Sequence, residues 1–150
     1  MSRNRESSRV VEILLVEDNP ADARLIQEIL CHGSAPKNVR VAADGDEALL
    51  LLRRQGAFID AARPHLVLLD LNLPGRHGRE VLREIKNDPN LRCVPVVVLT
   101  TSGAPTDVQH AYDLQANAYV VKPVGLDAFT EAIQSVEKFW LSSARLPESR

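Results

Sequence analysis

Strong charge imbalance, cysteine frameworks and long apolar runs are all missing from this sequence. Its net charge of −2 over 150 residues provides no electrostatic footprint for nucleic acid or for an anionic membrane surface. No apolar run approaches the roughly 20 residues that a transmembrane helix requires. The two cysteines, Cys31 and Cys93, form no CxxC pair, which excludes a disulfide framework and fits a reducing cytosol. We therefore expect a cytoplasmic protein that binds neither nucleic acid nor membrane.

The length and composition of the chain suit one domain. Apolar residues make up 45% of the sequence, which is enough to build a sizeable core at this length. Residues 1–9 are polar and lack the apolar segment of a signal peptide, so we expect a disordered lead-in. The domain itself is predicted to span residues 10–141, and residues 142–150 are predicted to form a C-terminal tail.

Five short apolar runs alternate along the chain with five segments of helical periodicity. The predicted strands cover residues 10–16, 39–43, 66–69, 94–99 and 118–121. Such alternation is typical of an α/β fold with a parallel sheet covered by helices on both faces. Since crossovers between parallel strands are right-handed, we expect a flavodoxin-like three-layer (βα)5 sandwich with strand order 2-1-3-4-5.

Two helix starts carry recognisable capping signals. Asn19 precedes Pro20, an arrangement in which the asparagine caps the helix and the proline occupies its first turn. Asp44 and Glu47 have the spacing of a capping box. Both signals follow directly on a predicted strand, which supports the alternation of strands and helices.

Three carboxylates follow two of the predicted strands. Glu17 and Asp18 come after the first strand, and Asp70 follows the third. In parallel α/β sheets, ligands bind beyond the carboxyl ends of the strands, so these side chains should converge there. Clustered acids repel one another unless a cation lies among them. Mg²⁺ suits such a cluster because it prefers hard oxygen ligands.

Two further polar residues end the last two strands. Thr100 follows the fourth strand and Lys122 the fifth, so both should reach the same edge of the sheet as the acids. An aspartate can accept a phosphoryl group as an aspartyl phosphate. Such a transfer mainly requires positioning and charge stabilisation, which a metal ion, a lysine and a hydroxyl donor can supply. The five residues together indicate phosphoryl-transfer chemistry.

Four sequence blocks, in this order, resemble the receiver domains of bacterial response regulators. The blocks are Leu15-Val16-Glu17-Asp18-Asn19, Leu69-Asp70-Leu71-Asn72-Leu73-Pro74-Gly75, Val98-Leu99-Thr100-Thr101-Ser102 and Val121-Lys122-Pro123. The resemblance extends from about residue 11 to residue 141, and the spacings between the acceptor aspartate, the threonine and the lysine match those of the family.

The resemblance implies a role for each residue of the cluster. Asp70 would be the phosphoacceptor, and Thr100 and Lys122 would engage the phosphoryl group. Tyr119 falls at the position of an aromatic switch, whose ring orientation follows phosphorylation. The Lys122–Pro123 bond is implied to be cis, which proline makes feasible. The implied ligands of Mg²⁺ are Glu17, Asp18, Asp70 and the backbone carbonyl of Asn72.

The resemblance also implies a partner, a sensor histidine kinase that donates the phosphoryl group. The run Thr100-Thr101-Ser102, the long connection at residues 55–64 and the tail Phe139-Trp140-Leu141 are similar to single-domain regulators of bacterial phytochrome kinases. A light-signalling pathway is therefore implied. The connection at 55–64 is an insertion relative to a minimal receiver, and no role is assigned to it.

The apolar tail can be interpreted in two ways. Phe139, Trp140 and Leu141 are consecutive, so they cannot all face one side of a helix. Part of this surface is expected to pack on the domain, and the rest would be covered by a second copy of the chain or by a folded-back tail. We favour a homodimer built around the fifth helix and this extension.

Two rival functions remain open from the sequence. An aspartate-based phosphatase would turn over an aspartyl phosphate, but such enzymes usually carry a second acid two residues after the nucleophile, where this chain has Asn72. A pseudo-receiver would act only as a protein-binding module, and the complete set of acids, threonine and lysine argues against it. We expect a signalling protein and not a turnover enzyme.

Overall fold

The computed structural model describes residues 10–73, 75 and 77–148, so the predicted lead-in at 1–9 and the last two residues of the predicted tail lie outside them. The five strands are β1 (Val11–Val16), β2 (Lys37–Ala42), β3 (Leu66–Leu69), β4 (Val96–Thr100) and β5 (Ala118–Val121). All neighbouring strands are parallel, and their order is β2-β1-β3-β4-β5. The predicted fold class and strand order are confirmed.

Within the described part of the chain, five α-helices cover the two faces of the sheet. They are α1 (Pro20–Cys31), α2 (Gly45–Leu52), α3 (Gly78–Asn87), α4 (Pro105–Asp113) and α5 (Leu126–Glu137). One core cluster joins the sheet to α2, α3 and α4, and a second joins it to α1 and α5. Strand β3 serves both clusters, since Leu66 and Leu68 belong to one and Val67 and Leu69 to the other. This explains its unbroken apolar sequence.

The two helix starts form as the capping signals predict. The Oδ1 atom of Asn19 accepts hydrogen bonds from the backbone N–H groups of Ala21 (2.9 Å) and Asp22 (3.1 Å). The Oδ1 atom of Asp44 accepts one from the N–H of Glu47 (2.8 Å). Each cap satisfies backbone donors that have no partner within the helix. Both caps lie just after a strand, so they hold the strand-to-helix loops at the carboxyl edge of the sheet.

The long connection at residues 55–64 folds against the domain. It contains a short 3₁₀ turn, Gly56–Phe58. The Phe58 ring packs on the core cluster under α2 and α3, and the guanidinium of Arg40, on edge strand β2, lies 5.3 Å from the ring centroid. Ala61 is buried as well. The insertion thus extends the core at the β2 edge of the sheet.

The chain continues beyond α5 in a turn of π-helix, Lys138–Ser143. Trp140 and Leu141 are half-buried and pack on the α1–α5 core cluster, as does Leu146 from the following segment. Phe139 is 54% exposed and contacts the Trp140 ring edge-on, with the ring centroids 5.1 Å apart. The extension therefore buries one side and leaves Phe139 on the surface. Among the described residues, no helix is long and apolar enough to cross a membrane.

Candidate functional site

Three carboxylates meet at the carboxyl edge of the sheet. Glu17 and Asp18 follow β1, and Asp70 follows β3, the strand paired with it. The backbone N–H of Asp70 donates to the carbonyl of Val16 (3.0 Å), which extends the β1–β3 pairing up to the acids. One carboxylate oxygen from each acid lies within 4.8 Å of the others. Glu17 and Asp70 are 3% and 7% exposed, whereas Asp18 is open to solvent.

The Lys122 side chain reaches this group from the end of β5. Its Nζ atom lies 2.5 Å from Oε1 of Glu17, 3.2 Å from Oδ2 of Asp70 and 3.2 Å from Oδ2 of Asp22. Its backbone N–H donates to the carbonyl of Thr100 (2.7 Å), which fixes the end of β5 beside β4. The ammonium thus uses its three donors on three carboxylates and acts as the counter-ion of the acid group.

Sequence reasoning missed Asp22. It lies in the first turn of α1, four residues after Asp18. That spacing from the acid pair was the available signal. However, acids are common in the first turn of a helix, because the helix dipole stabilises a negative charge there. Its contact with Lys122 spans 100 residues of sequence and became visible only in the folded chain.

Burial is the largest single influence on the pKa values of Glu17 and Lys122. Burial raises the pKa of Glu17 from an ordinary value of 4.5 to about 7. The hydrogen bond with Lys122 lowers this pKa, whereas the nearby charge of Asp70 raises it further. Burial lowers the pKa of Lys122, but the hydrogen bond with Glu17 and the charges of Asp70 and Glu17 outweigh it, so this pKa is raised overall. The lysine therefore stays charged at every physiological pH.

Thr100 and Asn72 lie on the other side of Asp70. Thr100 is fully buried at the end of β4, and its Oγ1 atom accepts a hydrogen bond from Nδ2 of Asn72 (3.2 Å). The backbone N–H of Asn72 donates to Oδ1 of Asp70 (2.9 Å). The two oxygens of Asp70 are thus bound on opposite sides, Oδ1 by the loop after β3 and Oδ2 by Lys122. A role for the Asn72 carbonyl as a metal ligand stays a prediction.

Tyr119 lies on β5 and is tied to the loop after β4. Its hydroxyl donates to the carbonyl of Ser102 (2.7 Å), and its half-buried ring packs on the core cluster under α2, α3 and α4. Burial raises the pKa of Tyr119. The Oγ of Ser102 in turn donates to Oδ2 of Asp107 on α4 (2.5 Å). The predicted switch residue therefore links β5 to the start of α4.

The predicted cis bond between Lys122 and Pro123 is wrong for this structure. No cis peptide bond occurs among the described residues, which include both of these. The trans form of a bond before proline is favoured by about 0.5–1 kcal/mol. The trans chain satisfies the Lys122 backbone N–H and brings its ammonium to the three carboxylates.

The donor set of the site fits a divalent cation. Glu17, Asp18 and Asp70 offer hard, anionic oxygens from two strand ends, the ligand type that Mg²⁺, Mn²⁺ and Ca²⁺ prefer. Among the described residues, Lys122 is the cation paired with Glu17 and Asp70, and it balances a single charge. A divalent cation bound by these carboxylates would therefore neutralise negative charge that Lys122 leaves unbalanced.

Comparisons with known proteins identify the family of this chain. Residues 13–134 match the response regulator receiver domain. The chain is 45% identical over 142 residues to the response regulator Rcp1 of Synechocystis sp.. The aligned region covers 95% of this chain and 97% of that protein.

Solved structures give the same result. The phosphorylated cyanobacterial phytochrome response regulator RcpA is 49% identical, with a TM-score of 0.90 over 93% of this chain and 100% of that one. The bacteriophytochrome response regulator AtBRR is 43% identical, with a TM-score of 0.69 over 93% of this chain and 99% of that one. The protein described here belongs to the response regulator receiver domain family.

Proposed function

We propose that this protein accepts a phosphoryl group on Asp70 from a phosphohistidine of a sensor kinase, with Mg²⁺ as the cofactor. One observation carries the proposal: three carboxylates from two strand ends lie together, and the Lys122 ammonium from a third strand lies 3.2 Å from an oxygen of Asp70. A nucleophilic carboxylate, a divalent-cation site and a fixed positive charge are the parts that phosphoryl transfer requires.

In the transfer, a carboxylate oxygen of Asp70 attacks phosphorus while the bond between phosphorus and the donor imidazole breaks. The imidazole leaves with the electron pair of that bond. The ammonium of Lys122 and the hydroxyl of Thr100 offset the charge on the phosphoryl oxygens. Mg²⁺, when bound by Glu17, Asp18, Asp70 and the Asn72 carbonyl, would add charge stabilisation to the same oxygens.

The hydrogen bonds around Asp70 indicate how the change would spread. The Thr100 hydroxyl accepts a bond from Asn72, and its own O–H can donate to the new phosphoryl group. Turning towards that group would move the end of β4. The loop after β4 carries Ser102, the acceptor of the Tyr119 hydroxyl. We therefore propose that phosphorylation shifts the Tyr119 ring and, through it, the surface formed by α4, β5 and α5, by favouring one of two pre-existing conformers.

Similarity to phytochrome response regulators supports a phytochrome histidine kinase as the phosphoryl donor. We place the protein in the cytoplasm, where such a kinase domain would meet it, and we propose that it signals through protein contacts. It is not expected to act as a turnover phosphatase, because the residue two positions after Asp70 is Asn72, which offers no acid for leaving-group protonation. A screen with common phosphomonoesters should show no multiple turnover.

The acceptor assignment is tested by phosphorylation with acetyl phosphate and Mg²⁺. Wild-type protein should gain one acid-labile phosphoryl group, and Asp70→Asn should gain none, because the amide lacks the nucleophilic carboxylate. Asp60→Asn is the matched control, since it makes the same change at an exposed position in the 55–64 insertion. Labelling of Asp70→Asn at the wild-type level would contradict the proposal.

We also propose a homodimer that involves α5 and the C-terminal extension. The exposed Phe139 ring supports it, because a bulky apolar side chain there gains from being covered, while Trp140 and Leu141 already pack on the domain. Phe139→Ser should weaken self-association in sedimentation velocity without loss of stability. An unchanged association constant would refute the role of this residue.

A further inference from the structure

Lys122 has one carboxylate partner that does not belong to the predicted metal site. Its ammonium contacts Glu17, Asp70 and Asp22. Glu17 and Asp70 form the acid group together with Asp18, whereas Asp22 lies outside that group on α1. The Asp22 side chain is 36% exposed, compared with 6% for that of Lys122.

A cation that enters the acid group must compete with the ammonium. The oxygens that Glu17 and Asp70 offer to a metal belong to the same two carboxylates that Lys122 now holds. Like charges repel, so the ammonium must give up part of its contact with these two carboxylates as the metal binds. A buried charge that loses its partners is costly. The ammonium therefore needs another acceptor within reach.

Asp22 is well placed to be that acceptor. Its Oδ2 atom is already 3.2 Å from the Lys122 Nζ atom, so a small rotation of the lysine strengthens the contact. Its backbone N–H is held by the Asn19 cap (3.1 Å), which fixes the start of the side chain. The N-terminal end of α1 also favours a negative charge at this position.

We propose that Asp22 is a positioning residue that takes over the Lys122 ammonium when a divalent cation occupies Glu17 and Asp70. This inference rests on the metal site of the proposed function. Asp22 would not touch the metal or the phosphoryl group. It would keep the ammonium charged, partnered and close to Asp70, ready for the incoming phosphoryl oxygens.

A double-mutant cycle on Mg²⁺ affinity tests this role without any phosphorylation. Asp22→Asn should weaken Mg²⁺ binding about fivefold in the wild-type background, because the metal-bound state then lacks the acceptor. In a Lys122→Met background the same change should cost less than about twofold, which measures only the loss of long-range attraction. Isothermal titration with MgCl₂ at pH 8 gives all four constants, with folding checked by circular dichroism.

Two further variants separate positioning from general charge. Glu28→Gln removes a carboxylate from an exposed site on the same helix, and it should leave Mg²⁺ affinity unchanged. Asp22→Glu keeps a carboxylate, on a side chain one methylene longer, and its Mg²⁺ affinity should lie within about twofold of that of wild type.

The outcomes of the cycle are distinct. An equal loss of affinity from Asp22→Asn in both backgrounds, or tighter binding in the wild-type background, would overturn the role of Asp22 and leave the metal site intact. A wild-type protein without measurable Mg²⁺ affinity would overturn the proposed function together with this role. The cycle needs no kinase, so an unidentified donor does not affect it.

Discussion

Lys122→Met should show how far the stability of the metal-free protein depends on the Lys122 ammonium. The substitution keeps a long, unbranched side chain but removes the positive charge that contacts three carboxylates. Two of these, Glu17 and Asp70, are almost fully buried. Without a counter-ion they repel each other in a poorly solvated site. We expect the metal-free variant to be markedly less stable than wild type at pH 8.

The size of the effect follows from the burial of these groups. Removing one partner of a buried ion pair costs about 3–5 kcal/mol. We take the lower value of about 3 kcal/mol, because the pKa of Glu17 is already raised to about 7 and this carboxyl can escape the repulsion by protonation. For a chain of 150 residues, each kcal/mol lowers Tm by about 2–4 °C, so the expected fall is roughly 6–12 °C.

Thermal unfolding in EDTA, followed by circular dichroism, measures this difference. Mg²⁺ at 100 times its Kd should stabilise the variant by about 2.7 kcal/mol relative to the same variant in EDTA, which offsets most of the expected loss. Lowering the pH to 5.5 should also narrow the gap in Tm between variant and wild type, because Glu17, whose pKa is raised to about 7, then takes up a proton. Lys138→Met, at an exposed lysine just beyond α5, is the matched control and should change Tm little.

A Lys122→Met protein with wild-type Tm in EDTA at pH 8 would refute the reasoning. It would mean that the two buried acids need no counter-ion, or that the ammonium does not lie among them in solution. A deficit that widens at low pH would also contradict it, since protonation can only relieve repulsion between carboxylates.

The remaining predictions concern the pH response and the packing of the acceptor loop. Folding raises the pKa of Glu17 to about 7, so between pH 4.5 and 7 the native state binds a proton that the unfolded chain releases. The contribution of Glu17 to the free energy of unfolding should therefore fall as the pH rises from 4.5 towards 7. Glu17→Gln should remove this slope in metal-free denaturant titrations, and an unaltered slope would rule Glu17 out as its source. Gly78→Ala should destabilise the protein by about 1–3 kcal/mol, because a Cβ there would lie 2.4 Å from the Leu71 Cα and 2.5 Å from the Asp70 carbonyl oxygen. Urea unfolding of the variant measures this cost, and a wild-type midpoint would show that the loop after β3 moves freely.

The elements of this fold could be predicted because their signals are local. Apolar runs marked the parallel strands, although β2 begins two residues earlier than predicted, at Lys37, and β4 two residues later, at Val96. The caps at Asn19 and Asp44 act on backbone donors two or three residues away. The location of the site could be predicted from one rule, that polar residues after parallel strands share an edge of the sheet. Glu17 and Asp70 do meet at that edge.

The tertiary structure decided which groups touch. Asp22 looks like an ordinary first-turn acid, and only the folded chain brings it against Lys122 at the end of β5. The packing of Phe58, within the 55–64 insertion, on the core cluster and beside Arg40 also depends on neighbours that are distant along the chain. The sequence by itself determined the strands, the helices and the edge where the chemistry lies, since these depend on short-range backbone and burial patterns. Side-chain partners at that edge depend on distances set by packing, which no local pattern encodes.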